Sequence, residues 1–404
     1  MTGRTLAAAA FLIAALVPGA VFSQDYLLRP LWTAGADGSG DVVFGRIEDV
    51  HIAPGDTVYV LDSQLCVIRV FGPDGIPVRS LGREGDGPGE FRSPGFLAGM
   101  PDGSLGVVSR QSGRIIKLDP CTGAPRGCLR PAGIETGLVQ VGRIHALPRT
   151  GETGAVVAVI REPVVKSSTD LVYGLWSYLA EFPDLGVPDP IPPTRRLLDV
   201  GEVAGADVEE ENYFSLWDPW TVDARGRIVA APFWDRYHLR WFTPDGRFAC
   251  RAEFEFPGRK REEFEKRRFL DYLWGGVSPA RFGVELVASE TEAVVRSIYP
   301  RSDGSLWVRT NRAGLHRHEG VFLALEAVTP DGRAAGTVRI LGPGDESIDR
   351  VFFGSDDFMV IVHGAERFIR NAPGSAHPSA PDAALTVSAY RLDPVKFVAG
   401  GAAK

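Results

Sequence analysis

The sequence predicts an all-β fold, and three observations carry that expectation. Tight-turn chemistry recurs along the chain, short alternating apolar runs flank each turn, and long amphipathic helical patterns are almost absent. Phe71-Gly72-Pro73-Asp74-Gly75, Phe242-Thr243-Pro244-Asp245-Gly246 and Val328-Thr329-Pro330-Asp331-Gly332 share one pattern. In each, Pro presets φ at the first corner, Asp hydrogen-bonds its own backbone, and Gly takes the φ > 0 position. A sister set lies about 20–30 residues away: Pro101-Asp102-Gly103, Asp223-Ala224-Arg225-Gly226 and Ser302-Asp303-Gly304. Each of these precedes a short apolar run, and Asp356-Asp357 before Phe358-Met359-Val360-Ile361-Val362 belongs with them.

The repeating unit is therefore strand, tight turn, strand, variable loop, strand, tight turn, strand. A four-stranded antiparallel meander of about 40–50 residues is the signature of a propeller blade. Six can be placed, at about 43–86, 91–136, 137–200, 211–255, 288–341 and 347–392. The third takes Val156-Val157-Ala158-Val159-Ile160 and 171–182 as its middle strands. The sixth has a strand at Leu385-Thr386-Val387-Ser388-Ala389-Tyr390 and no convincing fourth strand after it. Tyr26 to Thr33 is strand-like and has no unit of its own, so ring closure by that N-terminal strand is expected, removing both exposed sheet edges. A seventh unit stays open if residues 160–210 conceal one. A short amphipathic helix is expected over about 259–274, anchored by Phe264, Phe269, Leu270 and Leu273. Its charges alternate in sign and read as local pairs rather than as an anion site. The expectation is thus a single domain over 24–404: a six-bladed β-propeller of four-stranded antiparallel blades, with a short inserted helix.

Residues 1–23 have the layout of a secretory signal peptide: Arg4, an apolar stretch from Leu6 to Val17, then Val21-Phe22-Ser23 before Gln24. The apolar stretch is too short to span a membrane, which takes about 20 residues. An exported chain, periplasmic or extracellular, with no membrane span in its mature form is expected. Its 404 residues are 44% apolar and 24% charged, ordinary globular composition that excludes a disordered or collagen-like chain. The net charge of −7 gives no reason to expect nucleic acid as a partner.

Four cysteines are present. Cys121 and Cys128 bracket a turn-rich loop between strand-like runs, and a disulfide across that hairpin is expected. Cys66 and Cys250 sit in strand contexts and read as buried free thiols. A zinc site would need more close-spaced pairs.

Gly85-Asp86-Gly87-Pro88-Gly89-Glu90-Phe91, then Pro94, Pro101-Asp102-Gly103 and Arg114-Ile115-Ile116-Lys117-Leu118, resembles the NHL-repeat group of six-bladed β-propellers. The clear match covers 43–130, and a degenerate copy stands at Leu341-Gly342-Pro343-Gly344-Asp345. The resemblance implies the fold. It implies little about activity, because propellers of this kind host binding modules, lyases and hydrolases alike.

In such a meander the turns joining strands one to two and three to four share one face. The two-to-three loops and the links between units share the other. The first set is uniformly tight, whereas the second holds every long insertion: 161–170, 201–211, 256–282, 311–320 and 366–382. Insertions gathered on one face of a repeat array mark its binding face. Arg110, Trp234, Asp235, Arg236, Tyr237, Asn311, Arg312, His363 and Arg367 lie there and carry recognition chemistry. Arginine forks grip carboxylates and phosphates, and aromatic faces stack on sugars or peptides. The seven histidines (His51, His145, His238, His316, His318, His363 and His377) show no three placed to converge on an axis. Glu48, Asp49 and Asp218 are the inward carboxylate candidates for calcium. The expected function is a non-enzymatic binding or scaffolding module, acting as a monomer without cofactor, whose loop-rich face meets a protein, peptide or glycan. The alternative is a metal-assisted lyase or hydrolase at the mouth of a central channel.

Overall fold

In the computed structural model each of the tight turns closes as its chemistry requires. Gly75, Gly103, Gly226, Gly246, Gly304 and Gly332 all have φ between 72° and 85°. Each donates its backbone N–H to the carbonyl three residues earlier, at 2.7–3.0 Å. These turns join antiparallel strands rich in β-branched and aromatic residues. The structure describes residues 22–35, 42–109, 113–131, 140–147, 155–165, 173–183, 190–191, 195–203, 207–209, 219–256, 259–274, 285–311, 319–365 and 385–395.

The chain opens with β1 (Phe22–Ala34) and then builds successive meanders. The first is β2 (Ile47–Ile52), β3 (Val58–Asp62), β4 (Val67–Phe71) and β5 (Pro77–Leu81). The second is β6 (Pro94–Gly99), β7 (Leu105–Ser109), β8 (Ile115–Leu118) and β9 (Pro125–Pro131). The third uses β10 (Gln140–Leu147), β11 (Ala155–Val165) and β12 (Tyr173–Pro183). After these the short β13 (Pro190–Ile191) pairs in parallel with β9, and β14 (Arg195–Val203) completes the sheet on β12. β15 (Asp207–Glu209) follows. The fourth meander is β16 (Trp220–Val222), β17 (Ile228–Ala230), β18 (Tyr237–Phe242) and β19 (Phe248–Phe254). Then come helix α1 (Glu263–Trp274) and β20 (Glu285–Val287), which pairs in parallel with β15. The fifth is β21 (Val295–Pro300), β22 (Leu306–Thr310), β23 (Val321–Val328) and β24 (Ala334–Leu341). Last come β25 (Arg350–Phe353), β26 (Phe358–His363) and β27 (Thr386–Pro394).

The missing fourth strand of that last sheet is β1. It runs antiparallel to β27, from Tyr26 opposite Pro394 to Ala34 opposite Val387. Its first half also pairs in parallel with β24, from Phe22 opposite Gly336 to Leu27 opposite Leu341, which the sequence did not lead us to expect. Arg339 holds the second pairing with two hydrogen bonds to Asp25, both 2.7 Å.

The hydrophobic core is divided among the gaps between consecutive sheets. Tyr59, Leu61, Ile68 and Leu81 of the first sheet meet Leu97, Leu105, Val107 and Leu118 of the second. Leu239 and Trp241 meet Leu306 and Val308, and Trp307 and Leu323 meet Met359 and Ile361. One further core joins the last sheet to the first: Phe358, Val360 and Val387 pack on Val50, Val58 and Phe71. Inner strands covered on both faces are buried throughout, as in β3 and β7, whereas the outer strand β5 is exposed in all but its final residue. Polar bonds reinforce the same closure. Arg350 Nη1 donates to the Glu48 carbonyl (2.7 Å), and Arg391 pairs with Asp56 (2.8 Å). Sheets packed face to face in chain order, with the last returning to the first, form a β-propeller arrangement.

The helix begins at Glu263, four residues later than expected, because Glu265 reaches back to accept from the Glu262 backbone N–H (2.9 Å) and sets the N-terminus there. Its charges pair locally, Lys266 with Glu263 and Glu290, and Arg259 with Glu265 and Glu292.

The Cys121–Cys128 disulfide is not formed; all four cysteines are free thiols. Register explains why. Cys128 stands opposite Ile116 in the β8–β9 ladder, whereas Cys121 sits in the turn with its N–H on Asp119 (2.9 Å). The two are therefore not cross-strand partners. Cys66 is buried as expected, and Cys250 is only half-buried.

Candidate functional site

The topology puts the 2–3 loops and the links between meanders at one end, and the described residues singled out from sequence, Trp234, Asp235, Arg236, Tyr237, Asn311 and His363, lie on or beside them. Three of these six are buried. Trp234 is 8% exposed, with its Nε1–H toward Thr291 Oγ1 (3.4 Å) and Arg261 over its ring at 6.0 Å. Tyr237 is 3% exposed, tilted at 52° against the Phe254 ring and edge-on to Phe256. Asn311, also buried, donates Nδ2–H to the Glu292 carbonyl (3.0 Å). Asp235 and Arg236 are exposed but pair with each other at 3.4 Å, and Arg236 also covers Phe233. His363 lies at the end of β26, where Asp349 Oδ2 stands 3.1 Å from Nδ1 and Tyr390 Oη 3.5 Å from Nε2. Arg110, Arg312 and Arg367 fall outside the described residues, as do His316, His318, His377 and Asp218.

A different set of residues is brought together on the first strands. β2, β6, β10 and β21 each carry one residue more than the strand they pair with, at the same place in the ladder. The extra residue is Glu48 in β2, Gly95 in β6 and Arg296 in β21; in β10, Gly142 and Arg143 oppose the single Val159. A bulge interrupts the two-residue alternation and re-aims a side chain that would otherwise face a neighbouring sheet.

Arg296 shows the consequence. Its side chain is exposed to solvent, yet the surrounding protein pushes its pKa down, first by burial and then through the guanidinium of Arg309, with the charges of Glu292 and Glu346 acting the other way. It forms no ion pair among the described residues. His51 and His145 are of the same kind: partly accessible, with pKa values lowered by burial, in His145 to about 3 with the charge of Arg143 adding to the effect. In a β-propeller, groups enclosed by protein but still reached by solvent are those expected along the central channel.

Several contacts join the side chains of these first strands to their neighbours. Asp49 Oδ2 accepts the Leu97 N–H (2.9 Å), tying β2 to β6, while Oδ1 stands 3.8 Å from Arg143 Nη2. Arg143 lies over the Phe96 ring at 5.5 Å. His145 meets Trp220 edge-on, centroids 4.7 Å apart. His51 rests against Gly99, where a Cβ would come within 3.2 Å of Nε2. Arg46 pairs with Glu48 at 2.8 Å, and Arg309 Nη2 donates to the Glu346 carbonyl at 2.8 Å. The first strands of three different meanders thus carry arginines, Arg143, Arg296 and Arg350, suited to forked recognition of carboxylate or phosphate. Both histidines are neutral near pH 7. Among the described residues no three His, Cys, Asp or Glu side chains come close enough to hold a metal ion.

The sequence reading weighed the histidines as a triad and passed over these arginines. The available signal was position: aligned on the tight turns, Asp49, Arg143 and Arg350 fall at one place in the repeat.

No family model matches the chain, and no curated protein is significantly similar to it. Among solved structures it is similar to regucalcin, a calcium-binding protein from Agrobacterium tumefaciens, at 11% identity and a TM-score of 0.42, covering 92% of this chain and 96% of that one. It is similar to a streptogramin B lyase at 9% identity and a TM-score of 0.44, covering 91% and 98%. A third is virginiamycin B lyase from Staphylococcus aureus, at 9% identity and a TM-score of 0.40, covering 89% and 98%. At such values neither the ligands nor the reactions of those proteins transfer to this chain. No helix among the described residues is long and apolar enough to cross a membrane.

Proposed function

We propose that this chain is a six-bladed, NHL-like β-propeller, exported after loss of residues 1–23, that works as a binding module for an acidic partner. The partner is a peptide or glycan carrying carboxylate or phosphate groups, and it docks over the channel mouth at the loop-bearing end. The observation that carries this reading is Arg296: a guanidinium placed by a bulge where solvent reaches it, beside Arg309, with no ion pair among the described residues. Glu292 and Glu346 offset part of the repulsion between the two guanidinium groups, and an anion that accepts from Arg296 relieves the remainder. Arg143 and Arg350 belong to the same inner wall, although each already has a protein partner.

The test uses the mature protein, 24–404, and a hexaglutamate peptide as probe, with hexalysine as the opposite-charge control. Hexaglutamate is expected to bind with an affinity that falls as salt rises. Arg296→Gln is expected to weaken it at least tenfold, about 1.4 kcal/mol. Arg247→Gln, at the tight-turn end and 85% exposed, is expected to leave it unchanged. Equal binding by Arg296→Gln and the unaltered protein, or a preference for hexalysine, overturns the reading.

A further inference from the structure

We propose that the third and fourth strands of the fourth meander carry a second anion site, built on Arg240 and Arg251, that takes a phosphate group. Arg143, Arg296 and Arg350, by contrast, stand on first strands. In the β18–β19 ladder Arg240 lies directly opposite Arg251, and His238 directly opposite Glu253. Residues two apart share a sheet face, so all four side chains leave the sheet on the same side. Opposite residues have Cβ atoms about 4.5–5.5 Å apart, and like charges so placed are destabilising.

The acids nearby do not compensate the pair. Glu253 is shared, 3.1 Å from His238 Nδ1 and 3.6 Å from Arg251 Nε. Arg240 forms no ion pair among the described residues. A third guanidinium enters from the 2–3 loop. Arg236 and Arg240 stand 4.9 Å and 5.1 Å from the centroid of the same Phe233 ring, which keeps their guanidinium carbons within about 10 Å of each other. The Asp235 partner of Arg236 is exposed, and surface pairs of that kind offset little charge.

A second observation is how Arg240 is held. Its Nε–H donates to His238 Nε2 at 3.2 Å. Arginine can only donate, so Nε2 is the acceptor and the imidazole proton sits on Nδ1, facing Glu253. The imidazole, 4% exposed, stays neutral because burial and then the charge of Arg240 lower its pKa; Arg251 and Arg236 act the same way, and Glu253 opposes them. Phe233 meets that ring edge-on, with centroids 5.0 Å apart. Histidine and phenylalanine thus fix the Arg240 guanidinium by one edge and one face. Its remaining edge, Nη1 and Nη2, has no partner among the described residues, and neither nitrogen is closed to solvent. A fork already held in place loses less freedom when a ligand arrives. A carboxylate has two oxygens and fills one fork. A phosphate group has a third, so it can meet Arg240 end-on and still accept from Arg251 across the ladder, relieving their repulsion.

The probe is sodium phosphate at pH 7.5, titrated at constant ionic strength into the mature protein and followed by calorimetry, with acetate and methyl phosphate as comparisons. Phosphate is expected to bind in the millimolar range or tighter, and about fivefold or more tightly than acetate. Methyl phosphate binding as well as phosphate assigns the site to phosphate esters, and binding of phosphate alone assigns it to the free anion. Arg240→Gln is expected to weaken phosphate about tenfold, and Arg251→Gln, on a side chain 65% exposed, about threefold. Arg333→Gln, beside a tight turn of the fifth meander, is expected to leave it unchanged. Thermal unfolding of Arg251→Gln is expected to match the unaltered protein, which separates lost binding from lost fold. Undiminished binding in both Arg240→Gln and Arg251→Gln, equal binding of acetate, or no saturable binding up to about 50 mM overturns the proposal. Loss of phosphate in Arg296→Gln with full retention in Arg240→Gln also overturns it, and leaves the channel reading standing.

Discussion

His145 sits where a proton is expensive to accept. Burial and the neighbouring Arg143 lower its pKa to about 3, against an unfolded value near 6.5. Above pH 6.5 the imidazole is neutral in both states and the shift costs nothing. As pH falls below 6.5 the unfolded chain takes up a proton that the folded chain refuses, so stability falls over the window from 6.5 to about 3. The slope from this one group is at most about 1.4 kcal/mol per pH unit. Urea unfolding at pH 7.5 and pH 5.0 is expected to show a loss of stability that His145→Gln reduces; an unchanged loss in that variant removes His145 as its source. Single residues were also where the sequence was least legible. Trp234, Tyr237 and Asn311 have the chemistry of a recognition surface, but the same chemistry builds cores. Which role applies depends on neighbours such as Thr291 and Phe256, more than 15 residues away along the chain and beyond any local pattern.

Strands and turns were legible because their signals are local. Pro-Asp-Gly chemistry needs only its own residues to close, and every such turn appears where the sequence puts it. Bulges leave no such trace, since an extra residue exists only relative to the partner strand; Arg296 therefore went unnoticed although its strand did not. The double pairing of β1 was hidden for the same reason: Leu27-Leu28 reads as a strand whichever edge it joins. The β1–β24 half of that pairing rests on Asp25 and Arg339, with the Asp25 side chain only 8% exposed. Arg339→Met leaves that carboxylate without its partner and is expected to cost about 2–3 kcal/mol in urea unfolding, more than Asp25→Asn. A loss below about 0.5 kcal/mol for Arg339→Met would show that the parallel ladder adds nothing to stability.

For the whole molecule, closure is the property to test. Without 24–34, both β27 and β24 lose the strand that covers them, and open edges recruit other chains. A version lacking those residues is expected to elute as oligomers or aggregate, and one carrying the same eleven residues after a short turn following residue 395 is expected to recover a monodisperse profile. Recovery failing while the altered chain still folds would show that β1 acts through its β24 pairing rather than by covering β27. The ring was readable from the sequence because one sheet lacked a strand and one strand lacked a sheet. The same arrangement constrains how the protein is made. Arg29 meets Asp393 across 364 residues of chain, so β1 is made long before the strand it closes on. Until β24 and β27 have been made it must stay unpaired, and the entropy of bringing such distant segments together grows only logarithmically with the intervening length. Waiting is therefore the greater hazard, and a holding factor for the nascent N-terminus would matter more than any acceleration of the final docking.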